Sequence, residues 1–143
     1  MCIRDRISEA ELVDLVTGHA ALSDEERDIV EDVFNAGDLV LHEIMVPRTE
    51  VDFLDVGLTL AEAKSIAVRT AHSRYPVTRG SSDEVIGFLH VRDLLNAREE
   101  EMSKTLLGIM RPVIFLPGTK GVLPALTEMR IKRAHLALSL IHI

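Results

Sequence analysis

The histidines, the cysteine and the glycine-containing segments of this chain match none of the usual catalytic or metal-binding patterns. The six histidines are scattered, without the H-E-x-x-H or paired spacing of a zinc site. The chain has no G-x-S-x-G segment, and its single cysteine is Cys2. Neither G-x-x-x-x-G-K-[ST] nor G-x-G-x-x-G occurs, and the GTKG of Gly118–Gly121 is too short to cradle a phosphate. The sequence therefore predicts no enzyme activity.

An acidic run at Glu99–Glu101 is the remaining polar cluster. It is typical of a solvated helix end, with a weak divalent-cation site as the alternative. We therefore predict no dedicated metal site.

Composition narrows the class of partner. The 143 residues carry a formal net charge of −7, and 47% of them are hydrophobic, enough for a folded core. Nucleic acid is an unfavourable partner, because phosphate backbones are bound by clustered Lys and Arg. A single cysteine cannot form an internal disulfide, which favours the cytoplasm. No apolar run reaches the ~20 residues of a membrane-spanning helix.

The first third of the chain is predicted to be helical. Apolar residues among acids favour a helix over Ile7–Ala20. Ser23 and Glu26 have the spacing of a capping box, which predicts a second helix to about Asn35. A short helical turn is predicted at Leu39–Glu43.

Beyond Pro47 the pattern changes to alternating strands and helices. Thr59 and Glu62 form a second capping-box pair. Leu94 and Leu95 are predicted to be buried in the final helix. The predicted elements are an extended segment over Val51–Val56, a helix from Thr59 to about Ala71, strands over Tyr75–Thr78 and Val85–His90, and a helix over Val91–Arg98. This is a β-α-β-β-α unit.

The unit recurs further along the chain. Ile44–Pro47 is echoed by Ile109–Pro112, and at an offset of 62 residues Phe53-Leu54 aligns with Phe115-Leu116. At the same offset Ala63 meets Ala125. The predicted organisation is a helical linker over residues 7–43, a first unit over 44–108 and a second unit over 109–138. The second unit lacks its later strand and helix, so we expect it to be incomplete.

The two ends of the chain look foreign. MCIRDR at residues 1–6 and LSLIHI, with residues 139–143 as its tail, resemble translated sequencing-adapter read-through. Both tails are interpreted as non-native, which would leave the native part without cysteine. Genuine short tails are the alternative.

The joined motifs IMVPR, SRYPV and GFLHVRDLL resemble a CBS-domain pair. With the preceding LSDEERDIVEDVFNAGDLVLHEIMVPRTEV, they more narrowly resemble the cytosolic CBS region of the hemolysin C/CorC family, related to the CNNM magnesium transporters. The resemblance spans about Ile7 to Leu138. It implies an α/β (α+β) fold of tandem CBS repeats behind a helical linker. It also implies an N-terminal transmembrane domain in the parent chain, and a place at the cytoplasmic face of the cell membrane.

The resemblance further implies a ligand, ATP or another adenine nucleotide, with Mg²⁺ as an accompanying ion. Asp93 would accept hydrogen bonds from both ribose hydroxyls, and Arg74 would pair with phosphate. His90 stands where CBS domains commonly have Thr or Ser. The residues matched to nucleotide-binding positions are Thr49, Ser73, Arg74, Tyr75, Pro76, His90 and Asp93.

Each of these residues also has a purely structural interpretation. Asp93 suits the first turn of a helix, Tyr75 suits the core of an apolar strand, and Arg74 suits an exposed strand position.

The resemblance and these structural interpretations leave two hypotheses for the function of the chain. The first is a regulatory nucleotide-binding module that controls a membrane-embedded Mg/Co-efflux domain. The second is a ligand-free structural module that forms a homodimer through apolar stripes on the Thr59 and Val91 helices.

Overall fold

The computed structural model describes residues 22–139, together with Glu11, Leu15 and Gly18. The predicted helix over Ile7–Ala20 and the predicted tails at 1–6 and 139–143 therefore lie largely outside the described residues. None of the described helices is long and apolar enough to cross a membrane. The described helices are α1 (Asp24–Ala36), α2 (Leu41–Ile44), α3 (Leu60–Thr70), α4 (Val91–Asn96) and α5 (Val122–Ile131). The described strands are β1 (Leu54–Asp55), β2 (Arg74–Arg79), β3 (Ser81–His90), β4 (Ile114–Phe115) and β5 (Ala137–Leu138).

These elements form two compact units. Within the described residues, the lead-in unit runs to Met45 and includes Pro117–Lys132, and the sheet unit holds Val46–Leu116 and 133–139. The domain boundaries drawn from the repeat stay a prediction.

The lead-in unit begins with the predicted capping box. Ser23 Oγ accepts a hydrogen bond from Glu26 N at 3.1 Å, and Glu26 Oε1 accepts one from Ser23 N at 3.5 Å. Helix α1 then runs to Ala36, one residue beyond the predicted end. The capping-box prediction is confirmed.

The GTKG loop is held by backbone hydrogen bonds in the same unit. Leu41 N donates to Lys120 O and His42 N donates to Gly118 O, both at 2.9 Å. Two carbonyls of the loop are therefore occupied by the first turn of α2, which gives this loop a structural role.

The sheet unit contains the predicted β-α-β-β-α order. Strand β2 is central: β1 pairs with it in parallel, with Leu54 beside Val77, and β3 pairs antiparallel, with Tyr75 opposite Leu89. Both hairpin strands are longer than predicted. The hairpin turns at Gly80, whose φ of 78° suits glycine, so β3 begins at Ser81, which pairs with Arg79. The next residue of β3 with a partner on β2 is Val85, opposite Thr78.

The core lies between this sheet and helices α3 and α4. The predicted inward face of α3 is confirmed, with Leu60, Ala63 and Ala67 buried. The prediction for α4 was half wrong, because Leu94 is buried but Leu95 is 64% exposed. Successive helical residues point about 100° apart, so one turn cannot aim both leucines at the same core. The fully buried large side chains are Leu54, Leu60, Tyr75, Val77, Leu89, Leu94 and Leu106.

The internal repeat is visible in strand pairing. The two parallel pairs are Leu54↔Val77 and Ile114↔Ala137. The strands thus repeat at an offset of 60 residues, whereas Ala63 and Ala125 are both buried at the predicted offset of 62. Six residues separate β4 from α5 where four separate β1 from α3, so the loop absorbs the difference.

Candidate functional site

The candidate site lies where β3 ends and α4 begins. Phe88 on β3 faces Pro76 on β2, but it exchanges its hydrogen bonds with a different segment. Phe88 N donates to Arg111 O at 2.9 Å, and Arg111 N donates to Phe88 O at 2.8 Å. Antiparallel pairs alternate between bonded and non-bonded positions. Phe88 and Pro76 form a non-bonded pair, so the N–H and carbonyl of Phe88 point away from β2 and bond to Arg111. Arg111 is therefore fastened along the open edge of β3.

Gly87 makes this close approach possible. A Cβ atom at position 87 would lie 2.6 Å from Arg111 O and 2.7 Å from Met110 Cγ. Both distances are shorter than van der Waals contact, so any side chain would push the 110–111 backbone away from β3. Gly87, the glycine of the GFLHVRD segment, thus allows the backbone of β3 and the backbone of residues 110–111 to pack closely.

Arg111 turns its guanidinium onto Asp93. Arg111 Nε donates to Asp93 Oδ2 at 2.7 Å, and Nη2 donates to Oδ1 at 2.8 Å. The hydrogen bond and the charge of Asp93 raise the pKa of Arg111 above its ordinary value. The pair is a two-pronged ion pair in which both carboxylate oxygens have a partner.

Sequence reasoning missed Arg111. The available signal was its place in the IMRP echo of IMVP, where an arginine stands at the position that Val46 holds in the first unit. A charged residue at a position that is apolar in the other repeat is a sign of a functional role, and this sign could have identified Arg111 as a candidate site residue.

His90 lies at the centre of a group of positive charges. Its Nδ1 accepts a hydrogen bond from Arg92 N at 3.0 Å, so the neutral ring caps α4 and carries its proton on Nε2. Burial lowers the pKa of His90, and the charges of Arg74, Arg92 and Arg111 lower it further, while Asp93 raises it. Arg74 sits directly across from His90 in the β2–β3 ladder.

The charge balance of this group favours an anion. Three arginines surround His90, and the one negative charge beside them is the carboxylate of Asp93. Within the described part of the chain, neither Arg74 nor Arg92 forms an ion pair. In a protein whose net charge is −7, a local excess of positive charge is a candidate phosphate site.

Two of the predicted site residues are buried in β2. Tyr75 is in the core; its hydroxyl lies 2.7 Å from Thr70 Oγ1 and accepts a hydrogen bond from His72 N at 2.9 Å. This placement corresponds to the core-packing interpretation of Tyr75. Pro76 is buried beside it.

The other two predicted residues lie at the surface. Ser73 is exposed, and its carbonyl accepts a hydrogen bond from Val91 N at 2.8 Å, so it borders the start of α4. Thr49 is exposed in the short 3₁₀ turn Arg48–Glu50, which is tied to the β2–β3 hairpin by the ion pair between Arg48 and Asp83. The structure thus brings Arg74, His90 and Asp93 together, with Ser73 at their border. No described contact joins Thr49 to them.

A shallow depression opens beside Asp93. It has a volume of 310 Å³ and is lined by Asp93, Asn96, Ala97, Glu101 and Ile109. The described His, Cys, Asp and Glu residues include no group of three placed to hold a metal ion.

Comparison with known proteins assigns the fold. The model of the CBS domain matches residues 37–100. The chain is 35% identical over 132 residues to a UPF0053 protein of Mycobacterium tuberculosis, covering 90% of the chain and 30% of that protein. It is 33% identical over 124 residues to the magnesium and cobalt efflux protein CorC of Escherichia coli, covering 85% of the chain and 42% of that protein. The chain therefore spans less than half the length of these two relatives.

Solved structures of CBS domains also match the fold of this chain. The CBS domain of a bacterial CNNM/CorC family Mg²⁺ transporter superposes with a TM-score of 0.83 at 29% identity, over 93% of this chain and 84% of that one. The chain belongs to the CBS-domain region of the CorC/CNNM family. A CBS domain of the same description, solved in complex with ATP, matches this CBS region with a TM-score of 0.75 at 26% identity, over 80% of this chain and 84% of that one.

Family membership, predicted from the IMVPR, SRYPV and GFLHVRDLL motifs, is thereby confirmed for this CBS region. The α+β fold predicted with it is confirmed as well. The matched residues 37–100 contain the β3–α4 junction.

Proposed function

We propose that this CBS region is a regulatory module that binds an adenine nucleotide and controls a membrane-embedded Mg/Co-efflux domain of its parent chain, at the cytoplasmic face of the membrane. The observation that carries the proposal is the grouping of Asp93 with Arg74, Arg92 and Arg111 around His90. A carboxylate suits a ribose diol and arginines suit phosphates, so one site offers both halves of a nucleotide recognition set. The ATP complex of a related CBS domain supports this ligand class.

Each residue has a proposed part in binding. Asp93 accepts hydrogen bonds from the ribose hydroxyls, and Arg74, half-buried and without a carboxylate partner among the described residues, faces the phosphates. Ser73 and His90 border the ligand, while Tyr75 and Pro76 support the strand from the core. Thr49 is proposed to approach from the turn after Pro47, and Mg²⁺ accompanies the phosphates of ATP.

The proposed output is a shift in conformation rather than a reaction. A ligand moves an equilibrium only by binding one arrangement better than another. Nucleotide binding at the β3–α4 junction would favour one arrangement of the CBS repeats, and the membrane domain would respond to it. No hydrolysis is proposed, since the sequence has no nucleotide-hydrolysis motif.

Calorimetric titration of ATP, with and without Mg²⁺, tests the proposal. We expect ATP to bind the unsubstituted protein and to bind Asp93→Ala more weakly. Glu84→Ala, which removes an exposed carboxylate from the other end of β3, should bind ATP with unchanged affinity. Absence of heat with the parent chain would contradict nucleotide binding. Parental affinity in Asp93→Ala would contradict the role of Asp93 alone.

A homodimer is the second proposed function, and two exposed apolar side chains favour it. Val68 on α3 and Leu95 on α4 are 75% and 64% exposed. Val68 also lines an open groove of 800 Å³ that includes Lys64, Ala97 and Met102. A second copy of this chain could cover both helices. Sedimentation equilibrium should show a dimer that the double change Val68→Asp, Leu95→Asp converts to monomer; a monomeric parent at all concentrations would refute it.

A further inference from the structure

The carboxylate proposed to receive the ribose already has a partner in the chain. Arg111 donates two hydrogen bonds to Asp93, one to each oxygen, at 2.7 Å and 2.8 Å. A ribose diol would need the same two oxygens. Arg111 already occupies the end of the carboxylate between its two oxygens, so a diol that binds across both oxygens must take the place of Arg111.

The side chain of Arg111 can leave while its backbone stays. The backbone N–H and carbonyl of Arg111 are both hydrogen-bonded to Phe88, and Met110 packs against the core next to Gly87. The Arg111 side chain is 44% exposed, and that of Asp93 is 21% exposed. A rotamer change at Arg111, with the β3 edge intact, is thus sufficient to free the carboxylate.

We infer that Arg111 is an internal competitor of the nucleotide: it closes the ligand-free site by binding Asp93, and the ribose must displace it. The inference rests on the proposed nucleotide function and adds the regulation of that site. Ligand-free and ligand-bound forms then differ in the position of one guanidinium.

The competing ion pair sets the size of the expected effect. Partly exposed ion pairs change an equilibrium constant by up to about fivefold. Removing the competitor should therefore tighten diol binding about fivefold.

The test compares the affinity of adenosine with that of 2′,3′-dideoxyadenosine, for the unsubstituted protein and for Arg111→Met. Chemical shifts are followed while the ligand is titrated to millimolar concentration. Adenosine has no phosphate, so losing the charge of Arg111 subtracts no phosphate attraction. We expect Arg111→Met to bind adenosine about fivefold more tightly, with Arg111→Lys between the two because lysine cannot offer a two-pronged contact. Dideoxyadenosine should bind both chains equally.

Arg79→Met is the matched control, because Arg79 is an exposed arginine at the opposite end of β2 from Arg74 and has no proposed part in the site. Its adenosine affinity should equal that of the parent. Parental or weaker adenosine affinity in Arg111→Met, or an equal gain for dideoxyadenosine, would overturn the competition while nucleotide binding stands. Absence of ATP and adenosine binding in the parent and in Arg111→Met would overturn the proposed function and the competition together.

Discussion

Gly87 on β3 and Arg111 on the following segment approach so closely that a Cβ atom at position 87 would lie 2.6 Å from the carbonyl oxygen of Arg111. The contact aligns the two backbone hydrogen bonds between Phe88 and Arg111, and it places the guanidinium of Arg111 beside Asp93. A glycine within a strand thus determines the geometry of a charged pair.

Gly87→Ala is expected to destabilise the sheet unit by about 1–3 kcal/mol, the usual cost of forcing atoms into a packed site. The added methyl group must displace the 110–111 backbone, which weakens both hydrogen bonds to Phe88. Urea unfolding measures the loss. Gly108→Ala is the control, because a Cβ there meets no atom within 4 Å; equal stability of the two variants would contradict the steric argument.

His90 is expected to make stability depend on pH. Its pKa is lowered in the folded state, so below the ordinary value of 6.5 the unfolded chain binds more protons than the native one. The free energy of unfolding should fall as the pH drops through 6.5 and level off once it is below the lowered folded value.

His90→Asn separates this titration from the helix cap. Asparagine keeps an acceptor for Arg92 N but cannot take up the proton, so its free energy of unfolding should vary less with pH in this window. Denaturant unfolding at a series of pH values measures both slopes. Identical slopes for the unsubstituted protein and for His90→Asn would remove His90 as the cause.

Tyr75→Phe distinguishes a core role from a ligand role. The hydroxyl of Tyr75 is bonded to Thr70 and to His72 N inside the protein, so its loss should cost about 1–2 kcal/mol of stability. Nucleotide affinity should not change, because the ring is fully buried. Thermal unfolding and ATP titration give the two readings. A fully stable variant with reduced ATP affinity would instead assign Tyr75 to the base pocket.

Leu94 and Leu95 form a matched pair of adjacent leucines on α4. Leu94→Ala should cost about 2–4 kcal/mol, since it opens a cavity beneath the helix. Leu95→Ala should change monomer stability by less than about 0.5 kcal/mol, because the side chain is solvated. Urea unfolding at low protein concentration compares them. A large loss in Leu95→Ala under these conditions would mean that α4 is rotated from the orientation described.

Much of the fold could be predicted because its signals are local. The capping box of Ser23 and Glu26 joins residues three positions apart, and the inward face of α3 follows from helical spacing. The β-α-β-β-α order follows in the same way. Family membership was readable from short joined motifs, each contained in a few consecutive residues.

The chemistry of the candidate site depended on contacts between distant residues. Asp93 was recognisable as a candidate, but its partner Arg111 is 18 residues away, beyond a helix and two short turns. The pair exists because the hydrogen-bond register of β3 leaves Phe88 free for Arg111 and because Gly87 has no side chain. The sequence by itself determined the elements, the repeat and the family. Only the tertiary structure decided which charges meet, since strand register and backbone packing set those distances.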